Sequence, residues 1–147
     1  MAHEFSIRIA NDLGEIAGVS RVIHAFLKPH AVPEETEHAV GVAFEEMLSN
    51  TIKYGYEDDA RHDIELSVSV EAEHILLRIE DDAHAFDPLD AAAPDMDAPF
   101  EERPVGGLGI VLVRGLSESM EYERVDGKNV LRIRIRKGSP SSVAPQA

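Results

Sequence analysis

Residues 34–56, EETEHAVGVAFEEMLSNTIKYGY, decide how this chain is read. Val40, Phe44, Met47 and Thr51 recur at helical spacing and form an apolar stripe suited to packing on a sheet. Beside it runs a second stripe, Ala39, Ala43, Glu46, Asn50 and Tyr54, small at its start and polar toward its end. A helix places residues i and i+4 on one face, so the Glu46 carboxylate and the Asn50 amide point into the same space. A carboxylate can accept a proton, and an amide oxygen can ligate a hard cation such as Mg²⁺. Alone, such a pair reads as a solvated polar edge; the glycine cluster Gly106-Gly107-Leu108-Gly109 gives it weight.

On the N-terminal side, Phe5, Ile7 and Ile9 alternate with Glu4, Ser6 and Arg8, which predicts a half-buried strand over 4–9. Asn11 or Asp12 can cap the next helix, Asp12 and Glu15 having capping-box spacing, and that helix runs to about Leu27. Its apolar band is wide, taking in Leu13, Ile16, Val19, Val22, Ile23, Phe26 and Leu27, which suits burial on two sides. Pro29 ends that helix. Pro33 starts the next, with Glu34, Glu35 and Glu37 favourably placed at its N-terminus.

On the C-terminal side, residues 63–70 and 74–80 alternate strictly and predict an antiparallel hairpin delivering the chain to Asp81-Asp82-Ala83-His84-Ala85-Phe86-Asp87-Pro88. Residues 87–105 carry Pro88, Pro94, Pro99 and Pro104 among acidic and small residues and fit no period. So long a loop inside a compact domain is usually functional, and a flap is expected there. The glycine cluster then precedes a helix from Ile110, an arrangement that turns backbone N–H groups toward an anion. Residues 120–125 and 130–136 form a last hairpin around Asp126-Gly127, with Arg132, Arg134 and Arg136 pointing outward. The end, 138–147, has the composition of a disordered tail.

Strand, helix, helix, hairpin, flap, helix, hairpin is the order of an α+β two-layer sandwich: a mostly antiparallel sheet with helices on one face. At 147 residues the chain suits one domain. Its net charge of −14 argues against nucleic acid and anionic membranes as partners, and no apolar run reaches a membrane-spanning length. The absence of cysteine excludes disulfides and thiolate chemistry. With no signal-peptide pattern, a cytoplasmic location is expected. The seven histidines show no metal-site spacing and read as surface residues.

Glu46-x-x-x-Asn50-x-x-x-Tyr54-Gly55-Tyr56, an acidic pair after a strand with Phe86-Asp87-Pro88 behind it, and Gly107-Leu108-Gly109 at a helix occur here in one order. Together they resemble the ATPase domain shared by gyrase, Hsp90, histidine kinases and MutL, with its Bergerat-type fold. More narrowly, they resemble the anti-sigma factor serine kinases of bacterial partner-switching systems. The resemblance covers roughly Phe5 to Arg136 and implies one ATP-binding kinase domain over 1–137, with an ATP lid at about 87–105. It implies ATP and Mg²⁺ as cofactors, Asn50 as the Mg²⁺ ligand and Glu46 as the catalytic base. It also implies Asp81 as the adenine-binding carboxylate and Gly106, Gly107, Leu108 and Gly109 as the phosphate-binding segment. Tyr54 belongs to the same nucleotide-binding set. Arg103, in the flap, is placed by charge and position to reach the γ-phosphate. The implied partners are a STAS-type anti-sigma-factor antagonist, a sigma factor, or both, and a homodimer through the first strand and helix is expected. One departure stands out: Ala83 and Ala85 occupy positions where the family usually has glycine. A methyl group there is expected to cost about 1 kcal/mol or more, and about 1.4 kcal/mol would weaken nucleotide affinity tenfold. The alternative reading is therefore a catalytically weak, nucleotide-gated binding module.

Overall fold

A computed structural model of the chain describes residues 3–90 and 107–138. Most of the expected flap, with Arg103 and Gly106, lies outside the described residues, as does the tail from residue 139. The elements are β1 (Glu4–Ala10), a 3-10 turn (Leu13–Glu15), α1 (Ile16–Leu27), a 3-10 turn (Lys28–His30), α2 (Glu34–Tyr54), β2 (Asp63–Val70), β3 (His74–Asp81), a 3-10 turn (Pro88–Asp90), α3 (Gly107–Leu116), β4 (Ser119–Val125) and β5 (Lys128–Arg136). All strand pairs are antiparallel, in the order β1-β2-β3-β5-β4. The architecture is the expected α+β sandwich of one sheet with helices on one side.

Period-two alternation sorts the strand side chains. Ile64, Leu66, Val68, Ile75, Leu77, Ile79, Ile133 and Ile135 are all buried and form the floor of the core. Val40, Phe44, Met47 and Leu48 of α2 and Val19, Ile23 and Leu27 of α1 lie in the same core. Leu48 was no part of the predicted stripe, yet it is fully buried and lines the groove between α1 and α2.

The far side of the sheet is a ladder of opposite charges. Arg8 pairs with Glu65, Arg78 with Glu80 (2.7 Å), Arg132 with Glu123 (2.9 Å), Arg136 with Glu118 (3.6 Å) and Arg134 with Glu71 (3.9 Å). The outward arginine row is thus internally paired on a solvated face, where each pair is worth about 0–1 kcal/mol.

Several local expectations need correction. The first helix is not continuous from Asp12. Asp12 Oδ1 accepts from Gly14 N (2.8 Å) and tightens Leu13–Glu15 into a 3-10 turn, which leaves Leu13 exposed. Val22 is exposed as well, while Phe26 stacks on Phe5 (centroids 5.6 Å), so the wide apolar band is only partly covered. Pro33 sits at the N-cap of α2 rather than in its first turn, and the helix ends at Tyr54, with Gly55 N donating to Thr51 O. Gly107 and Gly109 do not precede the last helix but lie in its first turn, because α3 begins at Gly107. The beginning of the expected flap is folded: Leu89 N donates to Asp87 Oδ1 (2.8 Å) in the Pro88–Asp90 turn, and Pro88 is buried. Asp126 (φ 52°) and Gly127 (φ 78°) make the last turn, the positive φ values of a two-residue hairpin connection.

Candidate functional site

The sheet order sets up the site. β5 lies between β3 and β4, so the end of β3 meets the start of β5, and Asp81 faces Asn129 in register. The second half of α2 and the first turn of α3 close over this corner. They leave a cavity of ≈ 320 Å³ lined by Met47, Asn50, Thr51 and Tyr54 of α2, Ile79 and Asp81 of β3, Ala83, His84, Phe86 and Pro88 of the following loop, Ile110 of α3, and Tyr122, Asn129 and Leu131. The walls are chiefly apolar, with a few convergent polar groups, the composition of a small-molecule site.

Asp81 is the polar group at the end of β3, only 5% exposed. Its Oδ1 accepts from Asn129 Nδ2 (2.9 Å) and from Ala83 N (3.1 Å). Among the described residues both hydrogen bonds fall on that one oxygen. Burial pushes the carboxyl above its ordinary range, and the Asn129 amide and Ala83 N–H oppose that rise. An acceptor oxygen on an otherwise apolar wall suits a planar ligand carrying an exocyclic amine.

The loop after Asp81 is tied to the end of α2. His84 N donates to Gly55 O (3.0 Å), and the His84 ring reaches Tyr54 O (2.9 Å), closing a carbonyl left open by the helix terminus. His84 is exposed, as expected of a surface histidine, and also acts as a staple. Gly55 permits this approach, since a Cβ there would come within 2.8 Å of Ala83 Cβ. Ala83 and Ala85 are not among the residues at positive φ. The alanines therefore fit their backbone without strain, and the expected backbone penalty does not arise; Ala83 simply contributes a buried methyl to the cavity wall.

The other end of the site is built from α2 and α3. Asn50 lines the cavity, and its Nδ2 is buried with no hydrogen-bond partner among the described residues. One turn earlier, Glu46 Oε1 lies directly against the Gly109 Cα, where a Cβ would overlap it. Glu46 thus sits beside the cavity at the first turn of α3 rather than among its lining residues. Tyr54 stands half-exposed at the cavity wall, and Lys53 points to solvent. The pairing of Glu46 with the glycine segment, and of Asn50 with Asp81 across one cavity, joins segments more than thirty residues apart.

Residues 9–135 match the family described as the histidine kinase-like ATPase domain. The chain belongs to that family. Among curated proteins, the serine/threonine-protein kinase BtrW of Bordetella bronchiseptica is 27% identical over 89 residues, covering 60% of this chain and 63% of that protein. The chain thus spans somewhat under two thirds of that relative. Among solved structures, the RsbU and RsbW domains of Rv1364c from Mycobacterium tuberculosis align with a TM-score of 0.64 at 10% identity, over 92% of this chain and 33% of that one. The histidine kinase domain of the blue-light activated histidine kinase from Erythrobacter litoralis EL346 aligns with a TM-score of 0.52 at 20% identity, over 84% of this chain and 59% of that one. At these identities the structural likeness carries the fold. Membership of the histidine kinase-like ATPase family implies ATP binding.

The residues present fit such a ligand. The orphaned Asn50 amide needs a polar partner, Asp81 offers an acceptor, and the glycine in the first turn of α3 keeps that helix end free of side-chain bulk beside Glu46. The sequence alone missed Asn129, Tyr122 and Arg124. Asn129 flanks the Asp126-Gly127 turn, and only the β3–β5 register reveals its partner. Among the described residues no helix is long and apolar enough to cross a membrane.

Proposed function

We propose that this chain is an ATP-dependent serine/threonine protein kinase and anti-sigma regulatory factor acting in a partner switch. Its substrate is a serine on a STAS-type anti-sigma-factor antagonist. The observation that carries the reading is the meeting of the Glu46 carboxylate with the first turn of α3, one helical turn from Asn50, which shares a cavity with the buried Asp81. The name of the Bordetella relative and the RsbW domain among the structural neighbours support it.

In this reading Asp81 accepts from the adenine amine and Asn50 holds Mg²⁺. The metal, when bound, neutralises charge on the phosphates, the main demand of phosphoryl transfer. Glu46 orients the serine hydroxyl and takes its proton as the γ-phosphoryl group passes to the oxygen and ADP leaves. Incubation with γ-labelled ATP and the cognate antagonist tests this. Transfer by wild type and its loss in Glu46→Ala are expected; no transfer by wild type, or full transfer by the variant, overturns the proposal.

A second reading is a nucleotide-gated binding module that sequesters its partner without consuming ATP. It draws support from Glu46 standing beside the cavity rather than in its lining. Calorimetric nucleotide binding with no turnover, in the presence of the antagonist, selects it over the kinase.

A further inference from the structure

A hub of hydrogen bonds lies behind Asp81. Asn129 occupies the hinge between β3, β4 and β5, opposite Asp81 on one side and Arg124 on the other. Its Oδ1 accepts from the Tyr122 hydroxyl and from Arg124 Nη1 (3.0 Å). Its Nδ2 faces Asp81 Oδ1 (2.9 Å), His84 O (3.0 Å) and Ala83 O (3.3 Å). The Arg124 donor on one end and three acceptor oxygens on the other fix which way the amide points; a flipped amide would set N–H against the guanidinium and oxygen against all three oxygens. Arg124 Nη1 also donates to Ala83 O (2.9 Å), binding the loop to the same hub.

This hub has a chemical consequence. A buried carboxyl tends to hold its proton, and a protonated Asp81 would be a donor. An ionised Asp81 can only accept. The purine amine of adenine donates, whereas the 6-keto oxygen of hypoxanthine or guanine accepts. The Asn129 donor and the Arg124 charge both favour the ionised form, so they favour the amine. Among the described residues, Asp82, next along the chain, opposes ionisation, Tyr56, after α2, interacts with the Asp81 charge, and the titratable His84, Tyr54 and Tyr122 share the cavity. From α3 the cavity receives the apolar Ile110.

We propose that Asn129, held by Tyr122 and Arg124, is the specificity-determining residue of the cavity, committing Asp81 to accept a hydrogen bond and so selecting 6-amino over 6-keto purine nucleotides. This rests on the nucleotide reading above.

The test measures affinity for ATP and for inosine triphosphate, by calorimetry at several pH values, in wild type, Asn129→Asp and Arg124→Gln. Asn129→Asp keeps an acceptor for Tyr122 and Arg124 but sets a second carboxylate against Asp81, so the two share a proton. Arg124→Gln alters an exposed side chain and keeps the fold accessible should the first variant melt. Wild type is expected to favour ATP by about tenfold or more at neutral pH, the worth of one hydrogen bond to a charged group, and to lose that preference in acid. Both variants are expected to lose it at higher pH than wild type. The same ATP preference and the same pH midpoint in all three proteins would overturn the inference while leaving the nucleotide site standing. Failure of wild type to bind ATP at any pH would instead remove the nucleotide reading, and this inference with it.

Discussion

Glu46 Oε1 rests against the Cα of Gly109, in the space that any larger residue's Cβ would occupy. A helical glycine is ordinarily a weakness, so Gly109→Ala should stabilise α3 by roughly 0.5–1 kcal/mol if nothing stood there. Here the added methyl displaces the end of a flexible side chain, so the fold survives while the carboxylate moves. Transfer to the antagonist should fall about 10²-fold or more, as on loss of a general base. Combining Gly109→Ala with Glu46→Gln should cost no more than Glu46→Gln alone, because both remove the same positioned carboxylate. Single-turnover rates of the three variants measure this; additive losses would show that Gly109 acts some other way.

If Asp81 is the adenine-binding carboxylate, it trades stability for recognition. Its folded pKa is raised, so it holds its proton more tightly when folded than when unfolded, and stability declines as pH rises from its ordinary value, 3.8, through the folded value. Asp81→Asn removes that charge and keeps an acceptor for Asn129 Nδ2. The variant should be as stable as wild type or more so at pH 7 in urea denaturation. It should also bind ATP about tenfold or more weakly, since a buried polar match is lost. A variant both less stable and unchanged in affinity would contradict the assignment.

His62 lies between two carboxylates, with Nε2 at 2.9 Å from Asp58 Oδ1 and Nδ1 at 3.1 Å from Asp82, while its ring stacks on Tyr56 at 4.5 Å. The sequence suggested a plain surface histidine, yet only the imidazolium can donate from both nitrogens at once. Asp58 and then Asp82 raise the His62 pKa through their hydrogen bonds. This stabilisation is fully present below the unfolded value near 6.5 and is lost as pH rises through the higher folded value. In turn, the His62 hydrogen bond lowers the Asp58 pKa, a contribution present above that residue's unfolded value, 3.8, and lost as pH falls through the folded one. The stability difference between wild type and His62→Gln should therefore be largest in mildly acidic solution and shrink toward pH 9. Thermal melts of both proteins across this range, and a ring-proton titration of His62, measure it.

Asn50 offers a test that separates metal from nucleotide, because its amide oxygen can ligate a cation whereas its unpartnered Nδ2 can only donate to the nucleotide. If Asn50 holds Mg²⁺, Asn50→Ala should lower affinity for Mg·ATP about tenfold or more while leaving metal-free ATP binding in excess chelator nearly unchanged. Equal losses with and without metal would make Asn50 a contact to the nucleotide itself.

Much of this fold was legible in one dimension. Alternation marked the strands of both hairpins and 3.6-residue spacing marked the long helix, because half-buried elements must repeat with their own geometry. The Glu46–Asn50 pair and the glycine segment stood out because helical spacing and missing side chains are local properties. The register of Asp81 against Asn129, the stapling of His84 to Tyr54, the enclosure of His62 and the absence of strain at Ala83 were decided only in three dimensions. Each depends on how β5 slots between β3 and β4, and on which atoms that packing leaves within hydrogen-bond reach. A sequence fixes such contacts through the whole chain's packing, so no window of neighbouring residues displays them.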